Sequence, residues 1–283
     1  MPIVTTIAEL RQAVRRARAA GQRVGVVPTM GALHAGHLSL VQAASSECDF
    51  TVVTIFVNPT QFGPNEDFSR YPRRLDEDMQ LLSGARTDLV FAPTTEEMYP
   101  AGECTTVEVT GITAPWEGEV RPHHFRGVST VVAKLLNAVG ADVAFFGQKD
   151  FQQAAVIRQM VADLNMPVEI RVCPTVRDSD GLALSSRNAY LSAEERRSAL
   201  VIPQSLQKAL RLVQEQGETS TALIERAMRE TIETEPEIVI DYIAIVDSKT
   251  LTPRPIVGPG TEALVAARVG TTRLIDNMIL RAE

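Results

Sequence analysis

His34 and His37 lie three residues apart and flank Gly36, where an apolar run gives way to helical spacing. Imidazoles so placed can donate to an anion while charge builds on it. The surrounding stretch is Val24-Gly25-Val26-Val27-Pro28-Thr29-Met30-Gly31-Ala32-Leu33-His34-Ala35-Gly36-His37-Leu38-Ser39-Leu40. Its valine-rich opening reads as a buried strand. Pro28, lacking an N–H, is expected to stop the ladder. Gly31 and Gly36 permit a tight turn and close approach of backbone to a ligand. A helix is expected from His37 onward. Strand, glycine-bearing turn and helix start together present backbone N–H groups and a positive dipole end, which suit a triphosphate. Two other readings exist: a helix-capping role alone, or half of a metal site. Cys48, Cys104 and Cys173 lack C-x-x-C spacing and only four histidines are present, which argues against zinc.

A partner stretch lies downstream: Leu184-Ser185-Ser186-Arg187, followed by Asn188. Two hydroxyls and a guanidinium can wrap phosphate oxygens. With Asn58-Pro59-x-Gln61-Phe62, Phe146-Gly147-Gln148-Lys149-Asp150 and Asp180 to Asn188, the run from Pro28 to His37 resembles the pantoate–β-alanine ligase family (pantothenate synthetase, AMP-forming). The motifs appear in family order from residue 24 to 188.

The resemblance implies ATP-dependent condensation of (R)-pantoate with β-alanine to pantothenate, on the way to coenzyme A. A pantoyl-adenylate would form first, with release of pyrophosphate; β-alanine would then displace AMP. Implied ATP contacts are Met30, Gly31, Ala32, Leu33, His34, Ala35, Gly36 and His37, then Gly147, Gln148, Lys149 and Asp150. Val176, Leu184, Ser185, Ser186 and Arg187 complete them, Val176 beside the adenine. His37, His34, Lys149 and Arg187 are the implied catalytic groups. The family makes His37 a proton donor; physically, a hydrogen-bond donor suffices. Gln61 would bind pantoate and touch the β-alanine site, and Gln153, expected on one helical face with Lys149, would bind pantoate. Gln152 is the neighbouring alternative.

Mg²⁺ is expected with the phosphates of ATP. Asp78 and Glu77 are weak metal candidates, because Asp76-Glu77-Asp78 reads more simply as a solvated helix start. A homodimer is also implied. Ala35 stands where the family often has an acid, and His123 where glycine is expected before His-Phe-Arg-Gly. Arg70, Tyr71 and Arg121 carry no assigned role. The competing readings are a nucleotidyltransferase acting on another small acceptor, and a silent nucleotide-binding regulator. Neutral Gln61 and Gln153 disfavour a phosphorylated acceptor. His34, His37, Lys149 and Arg187 together disfavour the regulator.

The elements needed to position these groups follow from patterning. Apolar strands alternate with helices over residues 22 to 175, which predicts an α/β, Rossmann-like parallel sheet covered on both faces. Ligands of such sheets bind at the carboxyl ends of strands. Thr6-x-x-Glu9 and Ser192-x-x-Glu195 read as capping boxes. Residues 60–72 read as a polar loop too rich in Gly and Pro to pack, and Val107 to Thr110 as a short strand. Pro203 is expected to interrupt or kink a helix running to about Gln216. Ile238 to Val246, Ala263 to Val269 and Arg273 to Leu280 alternate as antiparallel strands, with Gly270-Thr271-Thr272 as a hairpin turn. Expected domains are 1–175, catalytic and binding ATP and pantoate, and 176–283, a smaller C-terminal α+β domain closing over the site.

The 283 residues carry a net charge of −7, with 45 % hydrophobic and 22 % charged residues. That balance fits a soluble globular protein and disfavours nucleic acid. No run reaches the ~18 apolar residues of a membrane span, and the N-terminus does not resemble a secretion signal. Isolated cysteines point to the cytoplasm.

Overall fold

Valine and isoleucine runs become the strands of one parallel sheet, buried on both faces as continuous apolar strands must be. The computed structural model describes residues 1–64 and 66–281. In chain order the first elements are β1 (Ile3–Val4), α1 (Ile7–Ala19), β2 (Val24–Thr29), α2 (Ala35–Glu47), β3 (Phe50–Ile55), α3 (Leu75–Ser83), β4 (Leu89–Phe91), α4 (Thr95–Met98), α5 (Glu117–Val120), α6 (His124–Val139), β5 (Val143–Gly147), α7 (Phe151–Asp163) and β6 (Glu169–Cys173). The six strands are ordered β1-β4-β3-β2-β5-β6, all parallel. Alternate side chains divide between two cores. Val24, Val26, Val52, Ala144 and Phe146 pack on one face with Val128, Val132 and Ile157. Val27, Val53, Val143 and Phe145 pack on the other with Leu40, Val41 and Leu82. The chain order reverses at β2, between β3 and β5, the place where such sheets bind ligands.

The later elements are α8 (Ala193–Ala199), α9 (Val201–Gln214), α10 (Thr221–Ile232), β7 (Ile238–Asp247), β8 (Thr261–Val269) and β9 (Thr272–Arg281). The strands form an antiparallel three-stranded sheet. Ile202, Leu206, Ile224 and Met228 bury against Ile245, Val265 and Leu274. Gly270 enables the two-residue β8–β9 turn at φ +56°. By packing, the chain divides into one unit of Met1–Gln148 with Gln152–Pro174, and another of Lys149–Phe151 with the chain from Thr175 onward.

Both capping boxes form. Three expectations change. Pro28 does not end β2: pairing with β3 continues to Thr29↔Ile55, and only the β5 side stops early, at Val26↔Ala144. Residues 107–110 form no strand; the Val107 N–H goes instead to Thr130 Oγ1 at 2.9 Å. The 60–72 stretch does pack. Phe62 packs against Phe68 and, edge-on, against Tyr71, with ring centroids 5.4 and 5.9 Å away, and short 3₁₀ turns form at Pro59–Gln61 and Asp67–Ser69. Within that stretch Asn65 lies outside the described residues. Of the two outcomes expected at Pro203, the helix is interrupted, with a break between α8 and α9 at Leu200, since a proline ring crowds the carbonyl four residues back.

His123 precedes α6 with φ +70°, the left-handed region that favours glycine, and its side chain makes no capping bond. The glycine expected there from family resemblance thus has a backbone reason. His123→Gly should stabilise the protein by about 0.5–1 kcal/mol, raising the thermal midpoint by about 1–3 °C in calorimetry. An unchanged or lower midpoint would show that the left-handed backbone carries no strain.

Candidate active site

The β2–α2 turn is held open by an acid distant in sequence. Gly31 (φ +79°) and Ala32 (φ +52°) turn the backbone left-handed, so the next amides face inward. Asp78, from the first turn of α3, accepts from Ala32 N at 3.0 Å and Leu33 N at 2.7 Å. A Cβ at Gly31 would sit 2.9 Å from that carboxylate, which is why the position takes glycine. Asp78 is only 2 % exposed. Burial pushes its carboxyl above the ordinary value, against the downward pull of the two amides. Asp78 is therefore a buried brace, which corrects its reading as solvated helix start or metal candidate. Asp76 and Glu77 are the exposed members, Glu77 pairing with Arg74.

From that turn the two imidazoles cap α2 reciprocally. His34 Nδ1 accepts the Gly36 N–H at 3.2 Å, and His37 Nδ1 accepts the His34 N–H at 3.3 Å. The ring centroids are 4.1 Å apart. A backbone N–H can only donate, so both Nδ1 atoms must be acceptors and the neutral rings carry their proton on Nε2. The capping reading and the chemical reading are thus compatible: one ring nitrogen caps, and the other is the donor.

Gln61 lies beside this turn. Its Nε2 meets Met30 Sδ at 3.2 Å, and its Oε1 accepts from Asn58 Nδ2 at 3.1 Å. Gly147 ends β5 next to β2, and Gln148 follows it. Gln153 is half-buried on α7. Its neighbour Gln152 is committed elsewhere, donating to Ile112 O and Pro115 O and accepting from Glu117 N. Lys149 sits in a 3₁₀ turn, Gln148–Asp150, before α7 begins, so the expected helical pairing of residues 149 and 153 does not apply.

In the second unit the Lys149 carbonyl accepts from Asn277 Nδ2 at 2.8 Å, and its ammonium lies 3.5 Å from Asp150. Leu184 N donates to Val176 O at 3.0 Å, which brings those two residues side by side. Ser185 caps the Ser186–Tyr190 turn by accepting from Arg187 N. Arg177 grips the buried Asp276 with two bonds, at 2.6 and 2.9 Å. Asp276, Asn277 and Arg177 carried no local sequence signal, because their partners are distant.

A second buried polar cluster surrounds Gln61. His124 Nδ1 meets the Gln61 carbonyl at 2.9 Å, and Arg121 Nη1 meets His124 Nε2 at 3.1 Å. Arg121 also binds Glu66 through two bonds, at 2.7 and 2.6 Å, and lies 3.7 Å from Glu117. Burial, then the charge of Arg121, lowers the His124 pKa to about 4, despite the Gln61 carbonyl and the carboxylates of Glu117 and Glu66. Burial works to raise the Glu66 carboxyl, but Arg121 outweighs it and the net shift is downward.

A family model described as pantoate-beta-alanine ligase matches residues 2–279. The chain is 54 % identical to the pantothenate synthetase of Moorella thermoacetica over 283 residues, covering all of both. It is similar to a crystal structure of pantothenate synthetase from Thermus thermophilus, with 51 % identity and TM-score 0.95, covering 99 % of this chain and 100 % of that one. It is also similar to a pantoate-beta-alanine ligase from Francisella tularensis complexed with beta-gamma ATP and beta-alanine. There identity is 35 % and the TM-score 0.81, over 99 % of this chain and 98 % of that one.

Two outcomes test this geometry. Asp78→Ala should cost roughly 2–5 kcal/mol in urea unfolding, because two buried N–H groups lose their acceptor; a loss below about 1 kcal/mol would show the turn stands without it. His124 titrates lower folded than unfolded, so its contribution is present above about pH 6.5 and lost as pH falls toward 4. Between pH 7 and pH 5 that loss should be about 2 kcal/mol. His124→Asn, measured at the same two pH values, should lack this share of the acid sensitivity.

Proposed function

The chain belongs to the pantoate–β-alanine ligase family, and on that premise we propose that it joins (R)-pantoate to β-alanine through a pantoyl-adenylate. The pantoate carboxylate attacks the α-phosphorus of ATP; the bond to pyrophosphate breaks and pyrophosphate leaves. The β-alanine amine then attacks the acyl carbon, loses a proton, and expels AMP to give pantothenate. Both steps gather negative charge on phosphate oxygens, so the protein's part is positioning and charge stabilisation.

His34 and His37 donate to those oxygens through Nε2–H. Met30 to His37, with Gly147, Gln148, Lys149 and Asp150, cradle the nucleotide, Lys149 balancing phosphate charge. Leu184, Ser185, Ser186 and Arg187 clamp the phosphates from the second motif, with Val176 beside the adenine. Gln61 and Gln153 bind pantoate, and Gln61 also borders the β-alanine site. The observation carrying this reading is the reciprocal capping of His34 and His37, which fixes the donor nitrogen of both rings. The ATP and β-alanine ligands of the Francisella relative support the same substrates here.

Mg²⁺ accompanies the nucleotide in this reading and neutralises phosphate charge. The phosphates of ATP would hold it in this reading, and no protein ligand is assigned to it. The family resemblance supports a cytoplasmic homodimer with a domain boundary near residue 175. No helix among the described residues is long and apolar enough to cross a membrane.

Pyrophosphate release should require pantoate, and AMP release should require β-alanine. Pyrophosphate release without pantoate would favour the nucleotidyltransferase reading. His37→Ala should lower single-turnover adenylate formation by about 10²–10³-fold, the usual loss for one preorganised donor. An unchanged rate would remove His37 from the chemistry.

A further inference from the structure

Gln61 is carried on a short 3₁₀ turn, Pro59–Gln61, and something must hold that turn in place. Its main chain presses against α6 at Gly127, where a Cβ would lie 2.3 Å from Thr60 O and 2.7 Å from Gln61 Cα. On the same side Asn58 donates to Gly127 O at 3.2 Å. Two side chains reach the Gln61 carbonyl itself: the His124 ring, buried at the start of α6, through Nδ1 at 2.9 Å, and Arg121 through Nη2 at a longer 3.4 Å.

Hydrogen-bond roles in this cluster are forced. A guanidinium has donors and no acceptor, so Arg121 Nη1 must donate to His124 Nε2. The single proton of the neutral ring is then on Nδ1, directed at the Gln61 carbonyl. Glu66 and Glu117 fix Arg121 in turn. Glu117 N donates to Gln152 Oε1, and Gln152 neighbours Gln153 on α7. A continuous polar chain therefore runs from the backbone of one proposed pantoate amide to the residue preceding the other.

We propose that His124 is a positioning residue for pantoate: its Nδ1–H holds the Gln61 turn, with Arg121 fixing the tautomer. The proposal rests on the reading of Gln61 as a pantoate ligand. His124 touches no substrate in this scheme; its whole effect passes through Gln61.

The test is steady-state kinetics on the full-length enzyme with ATP, pantoate and β-alanine. His124→Phe should raise the KM for pantoate about tenfold, as expected for loss of one buried hydrogen bond, and move the KM for ATP less than about twofold. His124→Asn, whose amide N–H can stand where Nδ1–H stood, should restore most of the pantoate KM; His124→Gln, reaching toward Nε2, should not. In a Gln61→Ala background, His124→Phe should add no further change, since both act through one group. Equal rises in both KM values, or additive effects in the double variant, would overturn the proposal. If Gln61→Ala alone leaves the pantoate KM unchanged, the assignment of Gln61 fails and the positioning role falls with it, a result distinct from failure of His124 alone. Should His124→Phe fail to fold, the Asn and Gln variants decide by the same split.

Discussion

Asp78 is the contact on which the candidate site depends. A left-handed turn at Gly31 and Ala32 leaves the Ala32 and Leu33 amides pointing inward, and both end on this one carboxylate. An isolated buried carboxylate would be strongly disfavoured; hydrogen bonds from two amides make it tolerable. The acid in turn fixes where α2 begins, and so where His34 and His37 stand. The first turn of α3 thus belongs to the site as much as the turn that carries the histidines.

The same tactic recurs with other partners. In the first unit Glu66 and Glu117 steady Arg121, which steadies His124 and, through it, the Gln61 backbone. In the second, Asp276 takes Arg177 and the Asn277 N–H, while Asn277 holds the Lys149 carbonyl. In each case a buried or half-buried acid orders a neighbour that has the functional group, or the backbone under it. Such pairs add little net stability once desolvation is counted, but they confine geometry closely.

Local patterns were legible wherever one local rule decided the outcome. Continuous apolar runs marked β2, β3 and β5 because both faces of the parallel sheet are covered. Thr6-x-x-Glu9, Ser192-x-x-Glu195 and Gly270 marked their turns because capping and left-handed φ are short-range effects. Long-range roles were not legible. Asp78 read as one acid among three; only its four-residue spacing from the buried Leu82 hinted that it faces inward. Residues 60–72 read as unpacked because Gly, Pro and charges dominated the count, yet Phe62, Phe68 and Tyr71 were enough for a small cluster of their own. Val107 to Thr110 alternated like a strand, but an alternating segment needs a neighbouring edge to pair with, and Thr130 took the Val107 amide instead.

Using imidazoles as helix caps has a consequence for the timing of order. A serine or aspartate cap spends its one functional group on the backbone, whereas a histidine has a nitrogen at either side of its ring. Here the fold itself immobilises both rings through Nδ1. The rotamer entropy of two side chains is surrendered during folding rather than during turnover. On the proposed reading, occupancy by ATP would leave the first turn of α2 almost unchanged, with its rings already aligned.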